Sequence, residues 1–237
     1  MLRIRVYQIF QCFIRKLIED IKRLVFRSND RLKDDLLTMF DRAMSFVKDS
    51  KIEGDYLEFG SYKGSTIIIA FHAAQRRYLS SINFYAFDSF EGLPEITGLD
   101  SEKYKRYDKG QYRCDVNSFK KNLSKNGVDL NRVATIPGYY NESLTEELKK
   151  KLPIKKASII HVDCDLYEST VPVLHFIESY VQDGTVVMFD DWFSYKGRQD
   201  MGEARAFREW ILNNPSIRAV EYFNYTKTGK SFLLSIK

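Results

Sequence analysis

Ala157-Ser-Ile-Ile-His-Val-Asp163-Cys-Asp165-Leu-Tyr167 and, after one intervening apolar segment, Thr185-Val-Val-Met-Phe-Asp190-Asp191-Trp192 are the stretches that decide the fold. Each is a short apolar run with β-branched residues, the composition of a strand buried on both faces of a parallel sheet. Each stops at aspartate. In an open α/β sheet such strands deliver their last residues to the crevice where ligands bind, so several carboxylates would converge there. Crowded carboxylates need protons or a cation, and an all-oxygen site suits a hard divalent ion such as magnesium. The plainer reading is that aspartates after strands cap helices or turns.

Upstream, Asp55-Tyr-Leu-Glu58-Phe-Gly60 reads as a buried first strand, followed by Ser61-Tyr62-Lys63-Gly64-Ser65-Thr66 and an apolar helix from Ile67 to Arg77. Asn83 to Phe87 is a second strand ending at Asp88, and Arg132 to Ile136 a third ending at Pro137-Gly138. Helices are expected over Asp115–Lys125, Ser143–Lys151, Thr170–Val181 and Glu203–Asn213. This β-α alternation predicts a doubly wound, mostly parallel sheet. Arg218–Phe223 and Ser231–Ile236, joined by a short polar loop, must pair antiparallel and bring the strands to seven. Residues 89–113 carry charge, glycine and tyrosine without a period and read as a long loop or lid.

One large domain over residues 51–237 follows, preceded by two helices within 1–50. Residues 1–27 repeat apolar positions at helical spacing and hold seven basic side chains against Glu19 and Asp20, which accounts for the whole net charge of +5. Charge interrupts this stretch too often for a membrane span. It either lies on an anionic membrane surface or packs on the domain or a second subunit, in a homo-oligomer. Residues 31–50 form a second amphipathic helix that covers the sheet or the site. The neutral remainder of the chain argues against nucleic acid as a partner. Cys12, Cys114 and Cys164, without a pairing pattern, fit a reducing cytoplasm, with peripheral attachment at the inner membrane face as the alternative. Neither they nor the histidines have zinc spacing.

The loop Glu58-Phe-Gly60-Ser-Tyr-Lys-Gly64 sits between a strand and a helix, where glycine lets backbone approach a ligand and free N–H groups face it. It lacks the G-x-G-x-x-G of dinucleotide sites. It resembles the E-x-G-x-G-x-G loop of S-adenosylmethionine enzymes, with Tyr62 in place of the middle glycine. Asp88, at the end of the second strand, is placed to accept hydrogen bonds from ribose hydroxyls.

Leu57-Glu-Phe-Gly60 with Gly64-Ser65, Phe87-Asp-Ser-Phe-Glu-Gly-Leu-Pro94, Pro137-Gly138-Tyr139 with Glu142-Ser143-Leu144, His161-Val-Asp-Cys-Asp-Leu-Tyr-Glu-Ser-Thr170 and Phe189-Asp-Asp-Trp192 occur in order at successive strand ends. Together they resemble the macrocin O-methyltransferase family of class I S-adenosylmethionine-dependent methyltransferases, over about residues 52–214. The resemblance implies a Rossmann-like fold and magnesium-dependent methyl transfer from S-adenosylmethionine to a hydroxyl of a sugar. The sugar would belong to a nucleotide sugar, a glycan precursor or a glycosylated natural product. It implies Asp163, Asp190 and Asp191 on the ion, with Asp165 in a structural or cap role. The cofactor would be held by Glu58, Gly60, Ser61, Gly64, Ser65, Asp88, Ser89, Gly138 and Asp163.

A sugar hydroxyl is hardly ionised at neutral pH, so a metal on its oxygen and a carboxylate to take its proton suit the reaction. Asp163 is the expected proton acceptor, and His161 a structural residue of the same strand face. Tyr139, Tyr167, Trp192 and Tyr195 are candidates for stacking on a sugar or adenine ring, or else aromatic core. Two other functions compete. Asp163-Cys-Asp165 could be the D-x-D of a metal-dependent glycosyltransferase, a reading that leaves Glu58, Asp88 and the Asp190-Asp191 pair without a role. A non-catalytic S-adenosylmethionine-binding module is the third.

Overall fold

The computed structural model describes residues 32–102 and 106–237. The expected basic helix of residues 1–27 lies outside them. A helix over residues 32–49 (α1) leads to strand β1 (Asp55–Phe59) and helix α2 (Ser65–Arg76). There follow β2 (Phe84–Asp88), α3 (Gly98–Glu102), α4 (Val116–Lys125), β3 (Val133–Pro137), α5 (Tyr140–Ser143), α6 (Glu146–Lys151), β4 (Ala157–Val162), α7 (Tyr167–Ile177), β5 (Thr185–Phe189) and α8 (Gly202–Asn213). The chain closes on β6 (Ile217–Tyr225) and β7 (Gly229–Ile236).

The seven strands form one sheet in the order β3-β2-β1-β4-β5-β7-β6, parallel except for β7, which runs antiparallel to both neighbours. This is the seven-stranded methyltransferase architecture with its antiparallel C-terminal pair. From the centre the sheet runs β1-β2-β3 to one edge and β4-β5-β7-β6 to the other. The switch between β1 and β4 is where such a sheet opens a crevice.

Alternation along the strands sorts the core into two layers. Leu57, Phe59, Ile160, Val162, Val187 and Phe189 face α7 and α8. Tyr56, Phe84, Ile159, Val186 and Met188 face α1, α2 and α4. Period two then sends Glu58, His161, Asp163 and Asp190 to the second face.

Hydrogen bonds continue past the strand ends. Gly138 donates to Asp88 O (2.9 Å), Gly60 to Phe87 O (3.0 Å), Asp163 to Phe59 O (2.8 Å) and Asp190 to Val162 O (3.0 Å). One row of residues therefore crosses the carboxyl edge of the sheet: Gly138, Asp88, Gly60, Asp163, Asp190.

Several elements depart from expectation. The helix expected over Ser143–Lys151 is two short ones, because Leu144 leaves helical backbone and Thr145 starts the second by accepting from Leu148 N. The segment after β2 contains α3, whose Asp100 accepts from the N–H groups of Tyr167 (2.9 Å) and Glu168 (3.0 Å) and so caps α7. The hairpin strands extend further than their apolar cores suggest. Among the described residues no helix is long and apolar enough to cross a membrane.

Candidate active site

The carboxyl edge of the sheet opens into a cavity of about 580 Å³. Gly60, Asp88, Ser89, Gly138 and Tyr139 line it on the β1–β3 side, and Asp163, Asp165, Asp190 and Asp191 on the β4–β5 side. Glu58, Ser61, Gly64 and Ser65 do not line it.

Glu58 is fully buried below the loop it was expected to serve. It accepts from Thr66 Oγ1 at 2.9 Å and from the Tyr56 hydroxyl, and it lies 3.5 Å from His161 Nδ1. It therefore fixes the start of α2 from beneath. Asp88 is committed locally as well. Its Oδ2 accepts from Ser61 N (2.8 Å) and Tyr62 N (2.9 Å), and its Oδ1 from Phe90 N (2.6 Å). Burial raises its pKa against the pull of those N–H groups. Ser89 builds a turn, donating to Gly92 O at 2.8 Å and accepting from Glu91 N.

The two loop glycines have different reasons. Gly60 sits at φ 89°, and a Cβ there would fall 1.8 Å from Asp163 O, so only glycine lets the cofactor-type loop touch the end of β4. A Cβ on Gly64 would fall 2.7 Å from Leu123, so that glycine admits α4 against the loop.

Oxygens of Asp163, Asp165 and Asp191 lie within 4.8 Å of one another. Asp165 is thus gathered with the other two rather than standing apart as a cap. Its backbone is left-handed (φ 60°), and the tight turn brings its carboxylate into the group. Asp190 lines the same cavity outside that trio. Burial, then the charges of Asp190, Asp191 and Asp165, pushes the Asp163 carboxyl well above the usual range. Burial, then Asp191, does the same to Asp165. Burial lifts Asp190 to about 6, against the favourable charge of His161. Two buried carboxylates and one partly buried this close repel one another, and an all-oxygen donor set fits a hard divalent ion.

A residue that sequence reasoning missed holds the cluster together. Glu203, in the first turn of α8 and fully buried, accepts from Cys164 N (3.1 Å) through Oε1 and from Asp191 N (2.8 Å) through Oε2. It straps the turn after β4 to the turn after β5. Of the aromatics expected to stack on a ring, only Tyr139 lines the cavity. Trp192 packs on Phe189, Phe207 and Phe232, Tyr195 donates to Asp165 O, and Tyr167 donates to Glu209. The cavity takes its other aromatics from Tyr62, Tyr107, Tyr112 and Tyr140. Tyr62 and Tyr112 meet edge to face with centroids 5.8 Å apart.

A family model described as Macrocin-O-methyltransferase matches residues 30–219. The chain belongs to the macrocin O-methyltransferase family. Within that family's reach, it is 26% identical over 146 residues to 8-demethyl-8-(2,3-dimethoxy-alpha-L-rhamnosyl)-tetracenomycin-C 4'-O-methyltransferase of Streptomyces olivaceus, covering 60% of this chain and 54% of the relative. It is 23% identical over 150 residues to demethyldecarbamoylnovobiocin O-methyltransferase of Streptomyces niveus, covering 62% and 55%. The chain thus spans about half the length of the curated relatives it matches. Among solved structures, the O-methyltransferase NovP superposes with a TM-score of 0.69 at 18% identity, over 86% of this chain and 80% of that one. Calicheamicin methyltransferase CalS11 superposes with a TM-score of 0.67 at 21% identity, over 83% and 77%. These likenesses establish the fold that the family shares.

Proposed function

We propose that the protein is a magnesium-dependent O-methyltransferase that moves a methyl group from S-adenosylmethionine to a sugar hydroxyl. The observation that carries this reading is the single cavity with a glycine-bordered cradle at one end and a carboxylate cluster at the other, meeting where Gly60 touches Asp163. Its volume of about 580 Å³ falls within the range of small-molecule and cofactor pockets. Family membership supports the cofactor. The rhamnosyl group in the name of the Streptomyces olivaceus relative supports a deoxysugar of a glycoside as the acceptor class.

Gly60, Gly138, Ser89 and Asp88 would border the cofactor, with Asp88 also keeping the loop backbone in place. Glu58, Ser61, Gly64 and Ser65 act from behind that wall by shaping the loop. Asp163 and Asp191 would hold the ion, together with Asp190 and Asp165 from the same two turns. A bound divalent cation supplies a Lewis acid that stabilises the developing alkoxide. Asp163 takes the hydroxyl proton: it touches the cofactor loop and belongs to the carboxylate cluster, so it lies between the two ends of the cavity. Asp165 is the alternative acceptor, since it lies in the same group. A larger loss of kcat for Asp163→Asn than for Asp165→Asn supports the first assignment, and the reverse order transfers the role.

The grouping of both D-x-D aspartates keeps one rival in view, a glycosyltransferase that binds a nucleotide sugar as donor. Calorimetry separates the two. S-adenosylhomocysteine should bind in the micromolar range or tighter, about −8 kcal/mol. Tight binding of a nucleoside diphosphate sugar with no response to S-adenosylhomocysteine would reject the methyltransferase reading.

A further inference from the structure

A closed ring of hydrogen bonds ties the segment between β2 and α4 to the carboxylate cluster. The Tyr107 hydroxyl donates to Asp191 Oδ1 at 3.1 Å. Arg106 Nε donates to the Tyr107 oxygen at 2.8 Å, and Arg106 Nη1 to Ser194 O at 3.0 Å. The Ser194 hydroxyl donates to the same Asp191 Oδ1, which closes the ring. The Tyr107 side chain is buried with Leu93, Leu166, Tyr195 and Met201, an apolar cluster separate from both faces of the sheet. The guanidinium of Arg106 lies 5.2 Å from the Tyr107 ring centroid, so one residue orients the other from both face and edge.

We propose that Tyr107, oriented by Arg106, is a positioning residue that latches a lid of residues 106–113 to Asp191 and fixes the Asp191 carboxylate for a divalent cation. The proposal rests on reading the cluster as a cation site. With two hydroxyl donors on Oδ1, the Asp191 carboxylate has a set rotamer, beside Asp165, whose side chain also meets Asp191 and Tyr107. Partners of this kind behind a ligand orient it, and their loss typically weakens metal affinity about 10- to 100-fold. The same bond makes the lid a part of the site. When the cation fixes Asp191, it also gives the Tyr107 hydroxyl a fixed acceptor, so cation retention and the order of residues 106–113 favour each other.

The test uses the full chain as wild type, Tyr107→Phe, and Tyr78→Phe as an exposed control. Tyr107→Phe keeps the ring in its apolar cluster and removes only the hydroxyl. Mn²⁺ affinity is read by electron paramagnetic resonance, and lid order by amide hydrogen exchange of peptides from 106–113 in EDTA. The latch predicts that Tyr107→Phe raises the Mn²⁺ Kd about tenfold or more. It also predicts faster exchange of the lid peptides with unchanged exchange in β1 and β4, and no effect of Tyr78→Phe on either measurement. A Kd within about twofold of wild type, or unchanged lid exchange, overturns the latch while leaving the cation site standing. Failure of the wild type to take up Mn²⁺ overturns the cation reading itself, and the coupling to Asp191 with it.

Discussion

Replacing Glu203 by alanine should destabilise the protein far more than a single substitution on a surface helix would. The side chain is fully buried, and its two oxygens accept separately from Cys164 N and Asp191 N at 3.1 and 2.8 Å. A hydrogen bond to a charged partner contributes about 1.5 to 3 kcal/mol, so the pair contributes about 3 to 6 kcal/mol. Burial, then the charge of Asp191, disfavours the charged form of Glu203, so removing it offsets part of that and leaves an expected loss of about 2 to 5 kcal/mol. Glu203→Gln keeps the volume and one acceptor but turns an NH₂ toward the second N–H, so it should fall between wild type and alanine. Urea denaturation in EDTA, followed by tryptophan fluorescence, measures this with the slope m expected to stay constant. A loss under about 1 kcal/mol for Glu203→Ala would refute the strap, because two orphaned buried N–H groups cannot cost so little.

Gly60→Ala should destabilise by about 2 kcal/mol or more, since its Cβ must push Asp163 O away and its φ is left-handed; calorimetric melting against Gly110→Ala, where a Cβ meets nothing within 4 Å, separates crowding from the cost of φ alone. The carboxylate cluster also predicts a pH dependence. For Asp190, whose folded pKa is raised to about 6 from 3.8, the folded state binds more protons between those values. Its contribution to stability is present at low pH and lost as pH rises through about 6. In EDTA the melting temperature should therefore fall across that window, and added Mg²⁺ should raise it at pH 7 and above; a melting curve indifferent to both pH and Mg²⁺ would contradict the burial of like charges.

How far the sequence foretold this site depends on how local each signal was. The strands ending at Asp163 and Asp190 were legible because β-branched runs and their polar stops are contiguous. Gly60 was legible because a glycine between a strand and a helix has few other reasons. Glu203 and Tyr107 were not, because they reach the cluster across 39 and 84 residues and nothing in their own neighbourhoods marks them. Asp165 had a structural or cap role only through the family resemblance, and no sequence signal marks the left-handed backbone that brings it to the cluster. Trp192, Tyr195 and Tyr167 had the right composition for a stacking wall. Side-chain direction sent Trp192 into the aromatic core beneath β5, Tyr195 to the backbone oxygen of Asp165 and Tyr167 to Glu209.

The central claim is that one cavity joins a methyl donor to a hydroxyl through a divalent cation. It is tested most directly by following methyl transfer from labelled S-adenosylmethionine to a panel of deoxysugar nucleotides and glycosides, with Mg²⁺ and with EDTA, for wild type and Asp191→Ala. The account predicts an acceptor heavier by one methyl group with wild type and Mg²⁺ only, while Asp191→Ala keeps its affinity for S-adenosylhomocysteine within about threefold. Full turnover in EDTA, or by Asp191→Ala, would contradict it.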